Sequence, residues 1–589
     1  MLNPKLTLQA SKQSNSLARP GTIASRPPSP VNQMDASIAL LSSRKDAWAR
    51  TPPGDRITLL DAVVRAFTPL CESWVHLGLE AKGALGDAYA AGWEWGSGPM
   101  PILRYLRGLR RMLIAIESAG QPPLPGKPAV RANGQVTVGV YPTDFYERLT
   151  TTGTSVEVWM EPGLTSEQVT STQARAYALP AQPGKVCLVL GAGNLSGIPF
   201  NDALSKLFLD SFVVLLKMNP VNDYIGPLIE AACASLVSEG YLQVVYGSAS
   251  EGSYLTNHPD IDCIHITGSD RTYEAIVFGQ GSDGERHKTA RSPICVKPIT
   301  AELGNISPAI IVPGPWSDQD LHYQAEQLAA NLCDGGSYSC SRTRVIVQHA
   351  DWSLGDRFLS HLRGVLSEVP PRIAYYPGAP ELFERFISSH PQAQSCGEAV
   401  DGALPWTLIP DIDPANTDDI CFSTESFCPI LAATKLEAPS PAGFVSRAVE
   451  FANKTLWGTL TACIIVHPES LQDPGLREAI EDAVERLRYG VIAVNCLPGL
   501  VWALSVPPWG SYPGNKPWDI QSGVGFIHNA YMFSRVQKTV IRAPFRAWPR
   551  PPWFPSKGAG MAEVCRRVAA YEAQPSLGRM LRIVVAALR

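Results

Sequence analysis

No CxxC pair occurs among the thirteen cysteines of this 589-residue chain, so neither a zinc ribbon nor a disulfide scaffold is expected and no metal ligands are assigned. Their scatter and odd number fit a reducing compartment, where most serve as small buried apolar residues. Long apolar runs are missing as well. The best stretches, 187–190 and 583–588, fall far short of the ~18 residues that a membrane span needs. There is no basic excess: 50 Lys+Arg against 54 Asp+Glu leave a net charge of −4, which argues against a nucleic-acid partner held by bulk electrostatics. Apolar residues nevertheless make up 45% of the chain, so a substantial core is expected, and the length suits several structural units.

One local absence stands out. Acidic residues are missing from the first 34 positions, which carry Lys5, Lys12, Arg19 and Arg26 with five serines. That composition fits a mitochondrial or plastid transit peptide; the alternative is a disordered, untargeted extension on a cytoplasmic protein.

What is present is patterned. Residues 35–133 read as mostly helical, with apolar positions of 58–67 at helical spacing and a basic face over 105–113 that suggests a solvated surface. The period then changes to two over 135–141 and 154–160, which predicts two strands. From 186 onward strands (186–190, 212–216, 242–246, 261–266) alternate with helices (202–210, 224–240), and strands recur at 307–313, 344–348 and 461–466. Such alternation means βαβ units, a parallel sheet, and ligands at the carboxyl ends of its strands. Nine Lys/Arg against two acids follow from 541 to the end, a composition suited to packing across a subunit surface.

Gly191-Ala192-Gly193-Asn194-Leu195-Ser196-Gly197 follows a strand and opens a helix. Its GxGxxxG spacing is compatible with a nucleotide loop or with a tight structural turn. Lys217-Met218-Asn219-Pro220 leaves the next strand, where a lysine can reach ribose hydroxyls or simply snorkel. Thr267-Gly268-Ser269 ends a third strand before a helix whose N-terminal N–H groups suit a phosphate. Glu302-Leu303-Gly304-Asn305 precedes an apolar strand. Cys340 lies between Gly335-Gly336 and a strand, with Arg342 and Arg344 close by in sequence; it reads as a thiolate those arginines could favour or as a small buried residue, and Cys333, seven residues upstream, is the competing thiol. Glu425-Ser426-Phe427-Cys428-Pro429 completes the series.

The order of these motifs resembles the aldehyde dehydrogenase superfamily, from about 159 to 544, in a divergent branch with Trp509-Gly510-Ser511-Tyr512-Pro513-Gly514 near its end. The resemblance implies an α/β fold: a Rossmann-type cofactor domain, an α/β catalytic domain and a β oligomerisation arm. Divided on that basis, 1–34 is the extension, 35–133 the helical start of the cofactor domain and 134–164 the arm strands. The cofactor domain proper is 165–301 and the catalytic domain 302–500; the chain returns through 501–546 and ends in the basic tail 547–589.

By the same resemblance Cys340 is the nucleophile, Glu302 the general base and Asn194 an oxyanion-hole donor. Lys217, Pro220, Gly268, Ser269, Glu425 and Phe427 contact NAD or NADP. Oxidation of a small-molecule aldehyde to a carboxylic acid through a cysteine thiohemiacetal and thioester is the implied reaction, and a homodimer or higher homo-oligomer the implied state. Alternatives are a CoA-dependent acyl reductase, or a catalytically retired fold serving as a subunit of a larger assembly. The sequence departs from the usual pattern at Ser337-Tyr338-Ser339, where Gly-Gln is common two residues before the nucleophile, at Asn305, and at Cys428, where Gly is normal.

Overall fold

A computed structural model describes residues 20–178, 182–558 and 560–588. Most of the transit-peptide reading falls on residues 1–19 and lies outside them. Two sheets organise the chain. The smaller has six strands in the order Gly523–Val524, Ile299–Glu302, Cys263–Thr267, Val186–Leu190, Val213–Lys217 and Leu242–Val245. Neighbours pair in parallel, except the antiparallel edge strand Gly523–Val524. Cys187, Leu188, Val189 and the whole of Val213–Lys217 are buried, as continuous apolar strands covered on both faces should be. The helix predicted at 202–210 starts earlier, at Ile198, because Pro199 occupies its first turn, where a missing N–H costs nothing. The helix expected over 224–240 is broken into Asp223–Ile225, Gly226–Ala232 and Ala234–Ser238.

The larger sheet has eleven strands. In order they are Ala129–Val130, Val136–Tyr141, Ser155–Met160, Val536–Arg542, Val491–Val494, Thr461–Ile465, Ser307–Ile311, Thr343–His349, Ile430–Leu436, Trp406–Ile412 and Gln394–Cys396. This corrects the arm expectation. The predicted projecting strands are completed within the same chain: Val536–Arg542 pairs in parallel with Val491–Val494 and antiparallel with Ser155–Met160. Val138, Val156 and Val158 sit in one apolar cluster and Trp159 in another, so both faces of the ribbon are covered. The Arg131 guanidinium stacks 3.9 Å from the Trp159 ring centroid. Lys538 locks the docking: its Nζ donates to the carbonyls of Val484 (3.0 Å), Glu485 (2.9 Å) and Leu487 (2.7 Å) at the end of helix Pro474–Arg486. The carbonyls and the negative end of the helix dipole attract its ammonium, although burial lowers it to about 7.

Helices Val31–Arg50, Pro53–Phe67, Cys71–Ala81, Ala88–Ser97 and Pro99–Ala119 form the start of the chain, and they pack with the smaller sheet into one apolar cluster. The basic face is a solvated surface only in part. Arg107 bonds Glu572 at 2.8 Å and Arg110 bonds Asp61 at 2.6 Å; Arg104, just before that stretch, bridges Glu147 (2.7 Å) and Glu572 (3.2 Å). Glu572 belongs to helix Gly560–Ala573, so the C-terminal tail docks on its own chain rather than across a subunit boundary. Arg104 and Arg107 are sockets for the tail, whereas Arg110 pairs with helix Pro53–Phe67 and Arg111 stays exposed, as a solvated face should.

Candidate active site

Helix Asp318–Cys333 delivers the chain into a turn where Gly335, Gly336 and Ser337 have φ of 60°, 69° and 73°. Two glycines are needed there because side chains disfavour that region. The turn is then clamped. The Arg344 guanidinium donates to Ser337 Oγ (2.7 Å), Ser337 O (2.7 Å) and Cys428 O (2.9 Å). Tyr338, in place of the common glutamine, is buried against Tyr375, Tyr376 and Phe427, with centroids 4.8, 5.6 and 6.1 Å away. The unusual loop is therefore held by an aromatic cluster and a buried arginine. The strand after it begins at Thr343, and it places Cys340 half-buried at the loop's end. Cys333 is fully buried in the last turn of its helix, and burial pushes its thiol far above its ordinary range. Access favours Cys340.

Glu302 ends the strand Ile299–Glu302, and its carboxyl lies against the Cys340 thiol; its Oε1 makes no hydrogen bond of normal geometry. Burial raises this carboxyl from 4.5 to about 8, the carboxylates of Asp202 and Glu425 adding to the effect while contacts with Cys340 and the Trp509 indole oppose it. Burial, Glu302 and Glu425 likewise push the Cys340 thiol well up. This corrects the expectation of an arginine-stabilised thiolate. Arg342 does pull the thiol down, but it is spent on the Trp93 ring (4.5 Å) and on Asp334 (3.8 Å). The resting pair is thus a neutral thiol beside a carboxyl that titrates near neutrality. Such a pair can pass a proton back and forth.

The residues of 191–200 are all buried, and Gly197 packs on Ser97 and Gly98 of the N-terminal helices, so the Gly-rich segment is a tight structural turn rather than an open phosphate loop. It brings Asn194 to the nucleophile turn: Tyr375 Oη lies 3.3 Å from both the Asn194 and the Gly335 carbonyl oxygens. Trp93 and Tyr89, which sequence reasoning missed, wall the same place. A Cβ on Gly335 would strike the Trp93 indole, and Tyr89 Oη donates to Asp334 Oδ1 at 2.7 Å.

Residues able to hold a dinucleotide line the carboxyl ends of the smaller sheet. Lys217 ends its strand almost buried, its ammonium lowered to about 8 by burial although Glu251 and Asp223 pull the other way. Pro220 sits half-buried in the turn beyond it. Gly268 and Ser269 are exposed, but the Gly268 N–H already donates to Glu302 O (3.1 Å) and Ser269 Oγ caps helix Asp270–Phe278. That corner is a less open anion site than its sequence suggests. Glu425 faces the Gly304 Cα so closely that a Cβ there would lie 2.1 Å from its Oε2, and its buried Oε1 has no partner. Burial raises this carboxyl to about 7, with Arg344 opposing. A buried acceptor lacking a donor is what a ribose hydroxyl would satisfy. Phe427, with φ 38°, packs 4.9 Å from Tyr376 beside it.

The site thus sets a thiol against a buried carboxyl, between a mostly parallel six-stranded sheet and a second, eleven-stranded sheet. Residues 213–370 match the aldehyde dehydrogenase family model. Human 4-trimethylaminobutyraldehyde dehydrogenase is 31% identical over 172 residues, 28% of this chain and 31% of that protein. The chain thus spans about a third of that relative. The NADP-dependent glyceraldehyde-3-phosphate dehydrogenase of Pisum sativum is 26% identical over 402 residues, covering 65% of this chain and 71% of its own. Among solved structures, NADP-dependent glyceraldehyde-3-phosphate dehydrogenase from Bacillus halodurans C-125, complexed with NADP, superposes with a TM-score of 0.58 at 17% identity, over 89% of this chain and 94% of that one. That likeness is one of fold.

Proposed function

We propose that the protein oxidises an aldehyde to a carboxylic acid with NAD or NADP as acceptor. The observation that carries this reading is the Cys340–Glu302 pair, a nucleophile and a base of matched protonation at one site. Cys340 Sγ adds to the aldehyde carbon while its proton passes to Glu302. The Asn194 side chain and the Cys340 backbone N–H are the donors we assign to the resulting oxyanion. A nicotinamide supplies the hydride acceptor when bound, held by Glu425 at its ribose and by Lys217 further along. Glu302 then sheds its proton and accepts one from the water that cleaves the thioester, which a carboxyl near 8 can do as pH rises. Relatives named as NADP-dependent support NADP over NAD. The acid-free N-terminus supports import into a mitochondrion or plastid, which fractionation of a full-length fusion tests. Incubation with an aldehyde panel and either nucleotide, read by reduced-cofactor absorbance and acid product, tests the activity.

A further inference from the structure

Away from the active centre, three side chains converge without a charge to reconcile them. His390 follows helix Ala379–Ser389, and Asp419 and Cys421 open the short helix Ile420–Ser423; His390 and Cys421 are buried. His390 Nδ1 lies 2.7 Å from the Phe386 carbonyl, which can only accept, so Nδ1 carries the proton. That leaves Nε2 as a lone pair in the neutral ring. Yet Nε2 faces Asp419 Oδ2, another acceptor, at 3.2 Å, and Cys421 Sγ lies 3.9 Å from the same nitrogen. Two lone pairs at that distance repel unless something positive sits between them, either a second proton or a metal ion.

The spacing suits a metal. All three donor atoms lie within 4.8 Å of one another. With zinc bond lengths of roughly 2.0–2.2 Å to N and O and 2.3 Å to S, tetrahedral angles require N···O near about 3.4 Å and N···S near about 3.6 Å. The observed 3.2 and 3.9 Å need only a few tenths of an ångström of adjustment. The supporting hydrogen bonds are also those of a ligand set. Nδ1–H to a backbone carbonyl is the second bond a zinc-bound imidazole makes, and Asp419 Oδ1 accepts the Cys421 N–H at 2.8 Å, fixing the carboxylate. A mixed N, O and S set selects zinc over magnesium or calcium.

We propose that His390 Nε2, Asp419 Oδ2 and Cys421 Sγ bind one Zn2+, with water in the fourth position, stapling the end of helix Ala379–Ser389 to the turn that leads into Glu425. Binding expels the Cys421 thiol proton, and any proton held between His390 and Asp419, to solvent. The sequence hides the site, because 29 and 31 residues separate His390 from its partners.

The test uses full-length protein with Cys340→Ala, which removes the active-site thiol, stripped by a chelator and titrated with Zn2+ and Co2+. One tight zinc per chain is expected, with a cobalt–thiolate charge-transfer band that persists in the Cys340→Ala background. Adding Cys421→Ala or His390→Ala should abolish the band and weaken zinc at least about tenfold. If either variant fails to fold, a rise in the unfolding midpoint of the parent protein on adding Zn2+, reversed by chelator, supports the site. Absence of both a tight equivalent and a stabilising shift, or a band that survives Cys421→Ala, would overturn it and leave a protonated His390–Asp419 pair.

Discussion

Replacing Glu302 by glutamine should stabilise the folded protein, and increasingly so as pH rises. The carboxyl is 4% exposed, ends a strand, and is raised to about 8, chiefly by burial. In the unfolded chain it returns to its ordinary 4.5. Between those values the folded protein holds a proton that the unfolded chain has released. The unfolded state therefore binds fewer protons, and stability falls as pH climbs through that window. The full difference, from 4.5 to about 8, corresponds to about 5 kcal/mol at 1.36 kcal/mol per unit. Glutamine keeps the shape and removes the charge. Denaturant unfolding should thus separate variant from parent little near about pH 5, by about 2 kcal/mol near about pH 6, and by several near about pH 9. The same variant should give a burst of reduced cofactor near one equivalent per site and then stall, since thioester cleavage lacks its base. Equal stability of the two proteins at about pH 9 would refute the electrostatic reasoning, and unchanged steady-state turnover would remove Glu302 from the chemistry.

Three further outcomes follow from the same geometry. Cys340→Ser should cut turnover by on the order of 10³-fold or more while cofactor binding persists, whereas Cys333→Ser should leave activity near that of the parent; the reverse pattern in a kinetic comparison would exchange their roles. Gly304→Ala should displace Glu425, because the new methyl would overlap Oε2, and should weaken nucleotide binding in a fluorescence titration more than it changes the unfolding midpoint; unaltered binding would exclude Glu425 from the ribose. A homo-oligomer remains our proposal for the assembly, resting on the resemblance to the aldehyde dehydrogenase family rather than on a projecting arm. Light scattering should give a mass well above the 63.7 kDa of one chain, and a species of that mass at micromolar concentration would sink it.

Four strands of the smaller sheet were legible because parallel strands buried on both faces must be continuous apolar runs, as Val213–Lys217 is, whereas the short strands Ile299–Glu302 and Gly523–Val524 were not. Trp406–Ile412 was not, since Pro410 interrupts its ladder and the register shifts between Ile409 and Ile412. The order of Asn194, Glu302, Cys340 and Glu425 along the chain pointed to the site, but its electrostatics did not follow from order. Whether Arg342 activates Cys340 depends on Trp93 and Asp334 reaching it first. Tyr89 and Trp93 lie some 240 residues before the nucleophile turn they wall, and no local pattern announces such a contact. The ribbon 134–164 read as a projecting arm because period two shows two faces without showing what covers them. Lys538, buried on three helix-end carbonyls, is the residue that binds the returning strand beside it.

The central claim is that the Cys340–Glu302 site oxidises aldehydes. Purified full-length protein, given an aldehyde panel with NAD or NADP, should accumulate reduced nicotinamide and the matching carboxylic acid in equal amounts, faster as pH rises through the Glu302 titration near 8 and abolished by Cys340→Ser. Turnover that survives Cys340→Ser, or none with any aldehyde and either nucleotide, would contradict it.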